Sequence, residues 1–278
     1  MGINGSQIMK PISRTAFYTT GLRMEDAENW RPIVGDTYAK EFMDEEALQI
    51  FQKFKLAKFK PPNISNLHRH RIIDNYLRQE IALNPCSTII LIGAGFDSRA
   101  YRLTGGIWIE VDEPEIISRK EQRLPAPKCP NPLTRISIDF AKEPLTKKLA
   151  PFRSDEPVLV IIEGVFMYLE KAAICELLNS LGELFPRHSI IGDLMNKKFF
   201  EKYAYKIHEV IRQLGATFRY TDDDPEAIFT ERGYRLMQRI SIVERAVDFG
   251  SLFIPKFILR YFLPTLATGY TVCVFQRA

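Results

Sequence analysis

Glycine, acidic and aromatic residues recur at one kind of place in this sequence, which is the end of an apolar run. Such runs are typical of buried strands. Four successive runs end in this way, and the residues concerned are Gly93 and Gly95, then Asp112, then Asp139 and Phe140, then Glu163 and Gly164. In an open α/β sheet, ligands bind beyond the carboxyl ends of the strands, near the point where the strand order reverses. The pattern therefore predicts a ligand-binding crevice lined by a glycine turn and several carboxylates.

The chemistry of these residues favours a nucleoside as the ligand. Gly93 and Gly95 lack a Cβ, so the backbone can turn tightly there and approach a ligand closely. Asp112 follows Gly95 by 17 residues and can accept hydrogen bonds from both hydroxyls of a ribose. Asp139 can accept a hydrogen bond from an adenine amino group, and Phe140 can pack against the ring. Together these residues indicate a cofactor that contains adenosine.

Two residues of the glycine turn bear on which cofactor this is. A dinucleotide-binding turn has a third glycine or alanine where the pyrophosphate meets a helix N-terminus, but Ser98 stands there, after Asp97. A carboxylate would repel a pyrophosphate, whereas S-adenosylmethionine has no phosphate and carries a sulfonium cation. The turn therefore favours S-adenosylmethionine over NAD. From the residues alone, a nicotinamide-dependent oxidoreductase and a non-catalytic S-adenosylmethionine-binding protein stay open as alternatives.

The segments that must position these residues alternate between strand-like and helix-like patterns. Strands are predicted at 87–93, 106–112, 133–140, the start of 157–169, 188–195, 234–244 and 270–278. Helices are predicted at 13–28 with Ser13 as its cap, at 43–59 before a break at 61–65, and at 67–83, 113–124 and 171–185. Consecutive apolar residues within the strands are typical of a parallel sheet covered on both faces.

This order of elements predicts an α/β fold with a doubly wound, mostly parallel sheet of seven strands, the last of them antiparallel. Residues 1–85 are expected to form a helical cover packed on a core of residues 86–278. A lid segment at about 196–230 is expected to be inserted in that core. Cover, core and lid are expected to make one compact unit.

Four segments carry motifs that are specific when they occur together. They are "ILIGAGFDSRAYRL", "IEVDEPEIISRK", "IEGVFMYL" and "LHRHRIIDNYL". With them the chain resembles the leucine carboxyl methyltransferase family, which includes bacterial polyketide-type O-methyltransferases and a wybutosine-synthesis branch. The resemblance extends from "TAFYTTGLRMED" to the C-terminus. It implies the Rossmann-like sheet of class I S-adenosylmethionine-dependent methyltransferases.

The resemblance also implies a role for each residue that matches a family motif. These roles are contact with the cofactor backbone for Gly93 and Gly95, the ribose hydroxyls for Asp112, the adenine for Asp139 and Phe140, and the amino-acid end for Glu163 and Gly164. One of Arg69 and Arg71 is expected to pair with the methionine carboxylate, because a guanidinium fork matches a carboxylate. Arg69 matches the family pattern better. Arg23 and Tyr168 are further candidates for lining the site, and Tyr168 is the candidate for catalysis.

The implied activity is transfer of a methyl group to a carboxylate or hydroxyl oxygen. The acceptor is expected to be a small molecule, polyketide-like in some relatives, or the carboxylate of a protein. A hydroxyl acceptor needs a general base and a carboxylate does not, and no residue stands out as that base. This favours a carboxylate. Nucleic acid is not an expected partner, because a net charge of +4 is modest and the long C-terminal domain of the wybutosine branch does not follow here.

No metal site is predicted from the cysteines, histidines or acidic residues. The four cysteines are scattered without a C-x-x-C pair, which also fits a reducing, cytoplasmic location. His68 and His70 stand two residues apart on a predicted helix, so their side chains should point in different directions. Residues 222–224 are three aspartates and are interpreted as a solvated loop.

Stable membrane insertion is not expected, because no run of 18 apolar residues occurs. The apolar segment 249–270 is interrupted by Pro255 and Pro264 and is interpreted as buried or as covering the site. The N-terminus matches a short myristoylation pattern at Gly2, of a kind that often matches by chance.

Overall fold

A computed structural model describes residues 9–56 and 60–277, which contain one seven-stranded sheet with strand order β3-β2-β1-β4-β5-β7-β6. The strands are β1 (Thr88–Ile92), β2 (Ile107–Asp112), β3 (Leu133–Ser137), β4 (Val158–Ile162), β5 (His188–Met195), β6 (Tyr234–Ser241) and β7 (Tyr270–Arg277). Strands β1 to β5 pair in parallel, and β7 runs antiparallel to both β5 and β6. The predicted doubly wound sheet with an antiparallel last strand is confirmed. Its strand order reverses between β1 and β4.

Helices surround this sheet and also form the N-terminal part of the chain. They are α1 (Pro11–Arg14), α2 (Ala16–Ala27), α3 (Glu45–Leu56), α4 (Lys60–Leu83), α5 (Arg99–Arg102), α6 (Pro114–Arg123), α7 (Leu145–Leu149), α8 (Lys171–Leu184), α9 (Lys197–Phe199), α10 (Tyr205–Gln213), α11 (Ala227–Thr230), α12 (Ile242–Asp248), α13 (Lys256–Phe262) and α14 (Pro264–Thr268). A π-helical turn, Phe200–Ala204, joins α9 to α10.

Both faces of the sheet are covered, which explains why its strands are continuously apolar. In β1, Ile89 and Leu91 pack in one buried cluster with residues of α2, α3 and α4. Ile90 and Ile92 point to the opposite face and pack in a second cluster with residues of α7 and α8. The N-terminal helices are therefore fixed against the same strand whose end forms the glycine turn.

Three local predictions were wrong at their boundaries. The predicted break at 61–65 is instead the start of helix α4, which begins at Lys60. The helix tolerates Pro61 and Pro62 because they fall in its first turn, where a backbone N–H has no helical partner to lose. Ser13 does not cap a helix; it lies in α1, and its hydroxyl donates to Glu115. Strand β6 ends at Ser241, whose Oγ accepts from the Glu244 N–H at 3.1 Å and caps α12.

Segment 249–270 is not buried as a whole. Leu259 and Ala267 are buried, but Phe253 is 91% exposed and Tyr261 is 80% exposed. Among the described residues, no helix is both long enough and apolar enough to cross a membrane. The pattern at Gly2 lies outside the described part of the chain.

Candidate active site

A cavity of about 680 Å³ lies beyond the carboxyl ends of β1, β2 and β4. Its floor includes the turn from Gly93 to Asp97 and the start of the loop after β4. Helices α1, α2 and α4 form one wall, and residues between Met195 and Phe218 form another. The cavity therefore lies at the strand-order reversal, where the sequence places its ligand.

The glycine turn at the end of β1 is possible because Gly93 has no side chain. Its φ is +68°, and a Cβ built there would lie 2.5 Å from Val165 Cγ2. The turn directs the Gly95 N–H at Asp112 Oδ2, 2.6 Å away. Gly93, Gly95 and Asp112 all line the cavity, so the structure brings these three predicted residues together.

Asp112 is held by backbone donors at the end of β2. Its Oδ1 accepts from the Glu113 N–H at 2.6 Å, while Oδ2 accepts from Gly95. Burial raises the pKa of Asp112 to about 6, although these two N–H groups oppose part of the rise. The carboxylate is thus fixed in orientation. Its ionisation should cost less free energy once a ligand supplies further hydrogen-bond donors.

At the end of β3, the structure places one of the two predicted residues in the cavity lining. Phe140 lines the cavity and is 42% exposed. Asp139 is not among the lining residues, and its carboxylate accepts from Lys10 Nζ at 2.8 Å. Lys10 and Lys142 hold the pKa of Asp139 at about 2. Lys10 also donates to Glu113, at 2.7 Å, and so ties the start of the chain to the ends of β2 and β3.

Arg69 enters the cavity from α4 and is held on three sides. Its Nε donates to Glu163 at 2.9 Å, and its Nη1 donates to Asp193 at 3.0 Å and to the Tyr270 hydroxyl at 2.6 Å. The Tyr270 hydroxyl in turn donates to Asp193 at 2.7 Å. Burial would lower the pKa of Arg69, but Asp193, Tyr270 and Glu163 raise it well above the ordinary value.

Arg71 lies outside the cavity, so the structure separates the two arginines that the sequence left as alternatives. Its guanidinium stacks on the Phe249 ring, 4.1 Å from the ring centroid. Two residues along a helix rotate the side chain to nearly the opposite face. Of this pair, only Arg69 is positioned to meet a ligand.

Glu163 and Gly164 line the cavity at the end of β4, as predicted. Burial alone would raise the pKa of Glu163, but Arg99, His70 and Arg69 hold it well below the ordinary value. Gly164 has a φ of +69°, and a Cβ there would lie 3.2 Å from Arg69 Nη2. The glycine therefore leaves room for the guanidinium.

A buried ionic cluster behind the cavity was not predicted from the sequence. Arg99 lies at its centre, fully buried, and donates to Asp74 at 2.6 Å, pairs with Glu163 at 2.7 Å, and pairs with Asp97. Arg102 donates to Asp74 at 2.8 Å. The recurrence of arginine in "SRAYR" was a signal, but partners on α4 and β4 cannot be read from spacing. The cluster positions Glu163 and, through it, Arg69.

Arg23 and Tyr168 both line the cavity. Arg23 is bound to the protein itself: Nε donates to Asp36 at 2.9 Å and Nη2 donates to the Phe96 carbonyl at 2.8 Å. Burial raises the pKa of Tyr168 to about 12, although a hydrogen bond with Thr15 opposes the rise. Tyr168 is therefore a phenol donor at neutral pH and is unsuited to act as a base.

One group of side chains has the composition of a metal site. His70, Asp97 and Glu163 each offer a ligand atom, and these atoms lie within 4.8 Å of one another. The Arg99 guanidinium already fills this space, since its Nη2 lies 2.8 Å from His70 Nδ1 and it pairs with both carboxylates. The Arg99 guanidinium thus supplies the positive charge that balances Asp97 and Glu163 in this structure. His68 faces elsewhere, stacked on Phe249 with ring centroids 5.8 Å apart.

Comparison with known proteins identifies the family of this chain. The leucine carboxyl methyltransferase family matches residues 16–182, which hold α2 to α4, the glycine turn, Asp112 and Glu163. The chain belongs to the leucine carboxyl methyltransferase family. It is therefore an S-adenosylmethionine-dependent methyltransferase, with S-adenosylmethionine as its cofactor. The oxidoreductase alternative is excluded by this membership.

Individual proteins resemble this family member over most of their length. The S-adenosyl-L-methionine-dependent methyltransferase dpfgK of Gibberella zeae is 24% identical, over 92% of this chain and 91% of its own. The tetracenomycin polyketide synthesis O-methyltransferase TcmP of Streptomyces glaucescens is 25% identical, over 84% of each. In fold, the chain resembles magnesium protoporphyrin IX methyltransferase of Synechocystis, solved with bound S-adenosylhomocysteine. That likeness has 12% identity and a TM-score of 0.51, and covers 87% of this chain and 99% of the other.

The residues of the cavity fit the cofactor of this methyltransferase family. Gly93 and Gly164 keep Cβ atoms out of the cradle, and Asp112 offers acceptors where ribose hydroxyls would donate. The Arg69 Nη2 atom, for which the described residues show no hydrogen-bond partner, would face the methionine carboxylate. Because Nε and Nη1 are engaged, the geometry favours one hydrogen bond there rather than the bidentate pair that the sequence suggests.

Proposed function

We propose that the protein is an O-methyltransferase that methylates a carboxylate of a small, mainly apolar molecule. The observation that carries this proposal is the absence, among the described lining residues at the Arg69 end of the cavity, of a side chain free to act as a base. A hydroxyl acceptor must lose a proton in the reaction, whereas a carboxylate is already ionised at neutral pH.

The tyrosines, Glu163 and His70 at that end are unsuited to remove a proton, and Asp97, which also lines the cavity, is paired with Arg99. Burial raises the pKa of Tyr18, Tyr168 and Tyr270, so these phenols stay protonated. Glu163 is ionised but is bound by Arg69 and Arg99, which hold its pKa well below the ordinary value. Its remaining capacity as a base is correspondingly small.

His70 is also unsuited, because burial, together with Arg99, lowers the pKa of its imidazole and makes it a weaker base. Its Nδ1 lies 2.8 Å from Arg99 Nη2, and its Nε2 lies 2.9 Å from Arg102 Nη2. A guanidinium therefore faces each ring nitrogen and opposes a proton there. Glu163 Oε2, 3.2 Å from Nδ1, favours the proton, but burial and Arg99 outweigh it and the pKa stays lowered.

Bound S-adenosylmethionine supplies an electrophilic methyl group on its sulfonium. Transfer of this methyl group to a carboxylate oxygen, with loss of its bond to sulfur, would leave an ester and S-adenosylhomocysteine. The protein's part is to hold the two reactants in line and to exclude water. Helices α1 and α2 cover the glycine turn, and aromatic residues between Phe199 and Phe218 close the opposite side. The name of the TcmP relative, an O-methyltransferase, supports oxygen as the acceptor.

The test is to incubate the protein with methyl-labelled S-adenosylmethionine and matched sets of aromatic carboxylic acids, phenols and alcohols. We expect labelled methyl esters, recognised because mild alkali releases the label as methanol. Alkali-stable ethers would instead establish a hydroxyl acceptor. Transfer only to a peptide with a free C-terminus would establish a protein carboxylate.

Tyr168→Phe separates a structural from a catalytic role for this tyrosine. Because Tyr168 does not act as a base in this proposal, we expect the variant to lose less than about tenfold in kcat. A general base contributes about 10²- to 10⁴-fold, so a loss of that size, rescued at high pH, would contradict the proposal.

A further inference from the structure

The first part of the predicted lid segment, residues 196–218, is called the lid below, and one of its faces carries the positive charge of the cavity wall. The lid residues that line the cavity recur at helical spacing through α9, the π-helical turn and α10, and are Phe199, Lys202, Tyr203, Lys206, Ile207 and Ile211. Asn196 fixes the start of this face, because its side chain accepts from the Phe199 N–H at 2.9 Å. A π-helical turn within a helix is frequent at functional sites.

Lys202 and Lys206, which we name the lid lysines, have no carboxylate within 4.0 Å among the residues that the structure describes. By contrast, Lys10 pairs with Glu113 and Lys120 pairs with Glu110. Both lid lysines are exposed, whereas Arg69 is buried. They therefore stand at the open end of the cavity, and Arg69 stands at its closed end.

A row of aromatic rings connects the two ends of the cavity. At the closed end, Tyr270 binds Arg69, and its ring lies 5.6 Å from that of Phe199. The Phe199 ring lies 5.2 Å from that of Tyr203, and Lys202 Nζ lies 5.4 Å from the Tyr203 ring. An acceptor that reaches from the closed end to the lid lysines would thus lie along three aromatic rings.

Phe218, at the C-terminal end of the lid, adds a further aromatic ring to the cavity lining. The Phe218 ring packs edge-on to Tyr168 with centroids 5.0 Å apart and stacks on His208 at 5.0 Å. Aromatic surfaces of this kind favour a flat, apolar body. The acidic lining residues all lie outside the lid, and they are Asp97, Asp112, Glu113, Glu143, Glu163 and Glu176. The lid contributes Lys202 and Lys206 to the lining and no carboxylate, so it is the cationic side.

An acceptor that covers the lid lysines must also remove water from two ammonium groups. A neutral acceptor would leave those charges poorly solvated and uncompensated, which costs free energy. An anionic group placed between them would replace the lost water with charge-assisted hydrogen bonds. The lysines therefore select for acceptors with a negative charge at the open end of the cavity.

We propose that Lys202 and Lys206 bind an anionic group of the acceptor other than the oxygen that is methylated. The acceptor is then a flat, largely apolar acid that carries at least two acidic groups, one at the closed end and one at the lid. This inference rests on the proposed function for the reaction at the closed end. It assigns a specificity role to the lid that is independent of cofactor binding.

The experiment measures binding of terephthalate, naphthalene dicarboxylate and biphenyl dicarboxylate to the protein saturated with S-adenosylhomocysteine. Each is compared with its monocarboxylate counterpart by calorimetry. We expect at least one dicarboxylate to bind at least about tenfold more tightly than its counterpart. The preference should disappear in the K202Q/K206Q variant and persist in K197Q/K198Q, which changes two exposed lysines of the same segment that do not line the cavity.

Three results would overturn the proposal: no member of the panel binds, monocarboxylates bind as tightly as dicarboxylates, or K202Q/K206Q keeps the preference. Unchanged binding of S-adenosylhomocysteine by K202Q/K206Q shows that this variant is folded. Failure of the proposed function has a different signature, since a dicarboxylate would then bind in a lysine-dependent manner but yield no ester with S-adenosylmethionine.

Discussion

Arg69 should recognise the carboxylate of the cofactor through a single nitrogen, and R69K tests this. In the free protein, Nε and Nη1 are bound to Glu163, Asp193 and Tyr270, which leaves Nη2 for a ligand. A lysine keeps the positive charge next to Glu163 and Asp193. Its three N–H donors all radiate from one nitrogen, so it cannot span Glu163, Asp193 and a third carboxylate as the three nitrogens of a guanidinium do.

The expected loss is that of one hydrogen bond between charged groups. Such a bond contributes about 1.5–3 kcal/mol, so the Kd for S-adenosylhomocysteine should rise about 10- to 150-fold. Methylthioadenosine, which lacks the amino-acid part of the cofactor, should bind the variant within about twofold of its affinity for the wild type. The comparison of the two ligands isolates the interaction of Arg69 with the carboxylate from any general disturbance of the cavity.

Calorimetric titration of both ligands into wild type, R69K and R71K provides the assay. R71K is the matched control, because Arg71 lies two residues away on the same helix but stacks on Phe249 outside the cavity. It should change neither affinity. Equal losses for the two ligands in R69K would refute the assignment of Nη2 to the carboxylate, as would a selective loss for S-adenosylhomocysteine in R71K.

Three further predictions concern charge, burial and the glycine turn. Burial raises the pKa of Asp112 from 3.8 to about 6, so its neutral form stabilises the free protein at low pH and this contribution is lost as the pH rises through about 6. Ribose hydroxyls donate to the ionised form of Asp112, so S-adenosylhomocysteine should bind wild type more weakly below about pH 6. D112N should bind it weakly with no such pH dependence. A wild-type affinity that does not change with pH across this range would contradict the assignment of Asp112 to the ribose. R99M should lower the free energy of unfolding, measured in urea, by about 3–5 kcal/mol, because it leaves buried carboxylates unpaired. The control R71M should lower it by about 1 kcal/mol or less. An equally small loss in R99M would show that the ionic cluster is not needed for stability. G93A should destabilise the protein by at least about 1–3 kcal/mol from its positive φ alone, and G93A/V165A should recover only the part due to the 2.5 Å contact, so thermal denaturation that finds G93A as stable as wild type would be inconsistent with this turn.

The fold and the floor of the site could be predicted because each depends on local pattern. Apolar runs identify the strands, and a glycine or carboxylate at the end of a run marks the carboxyl edge of the sheet. Gly93, Gly95, Asp112, Glu163 and Gly164 all line the cavity for this reason. Periodicity alone did not place helix ends, since the start of α4 depends on how its first turn tolerates proline.

The other features of the site depend on pairs of residues that are far apart in the sequence. No local sequence pattern indicates such pairs. The choice between Arg69 and Arg71 depends on which face of α4 meets the sheet. Asp139 does not line the cavity, and its carboxylate accepts a hydrogen bond from Lys10. Lys10 lies just before the N-terminal helices, far from Asp139 in the sequence. The ionic cluster around Arg99 joins α4, the glycine turn and β4, and such partners are defined only by the folded chain.

The direct test of the account is titration of the purified protein with S-adenosylmethionine, beside the D112A variant. Wild type should bind with micromolar affinity at neutral pH, as is common for enzyme ligands, and D112A should lose this binding while it stays folded. Absence of binding by well-folded wild type, or equal binding by D112A, would contradict the assignment of the cavity at the ends of β1 and β2 to this cofactor.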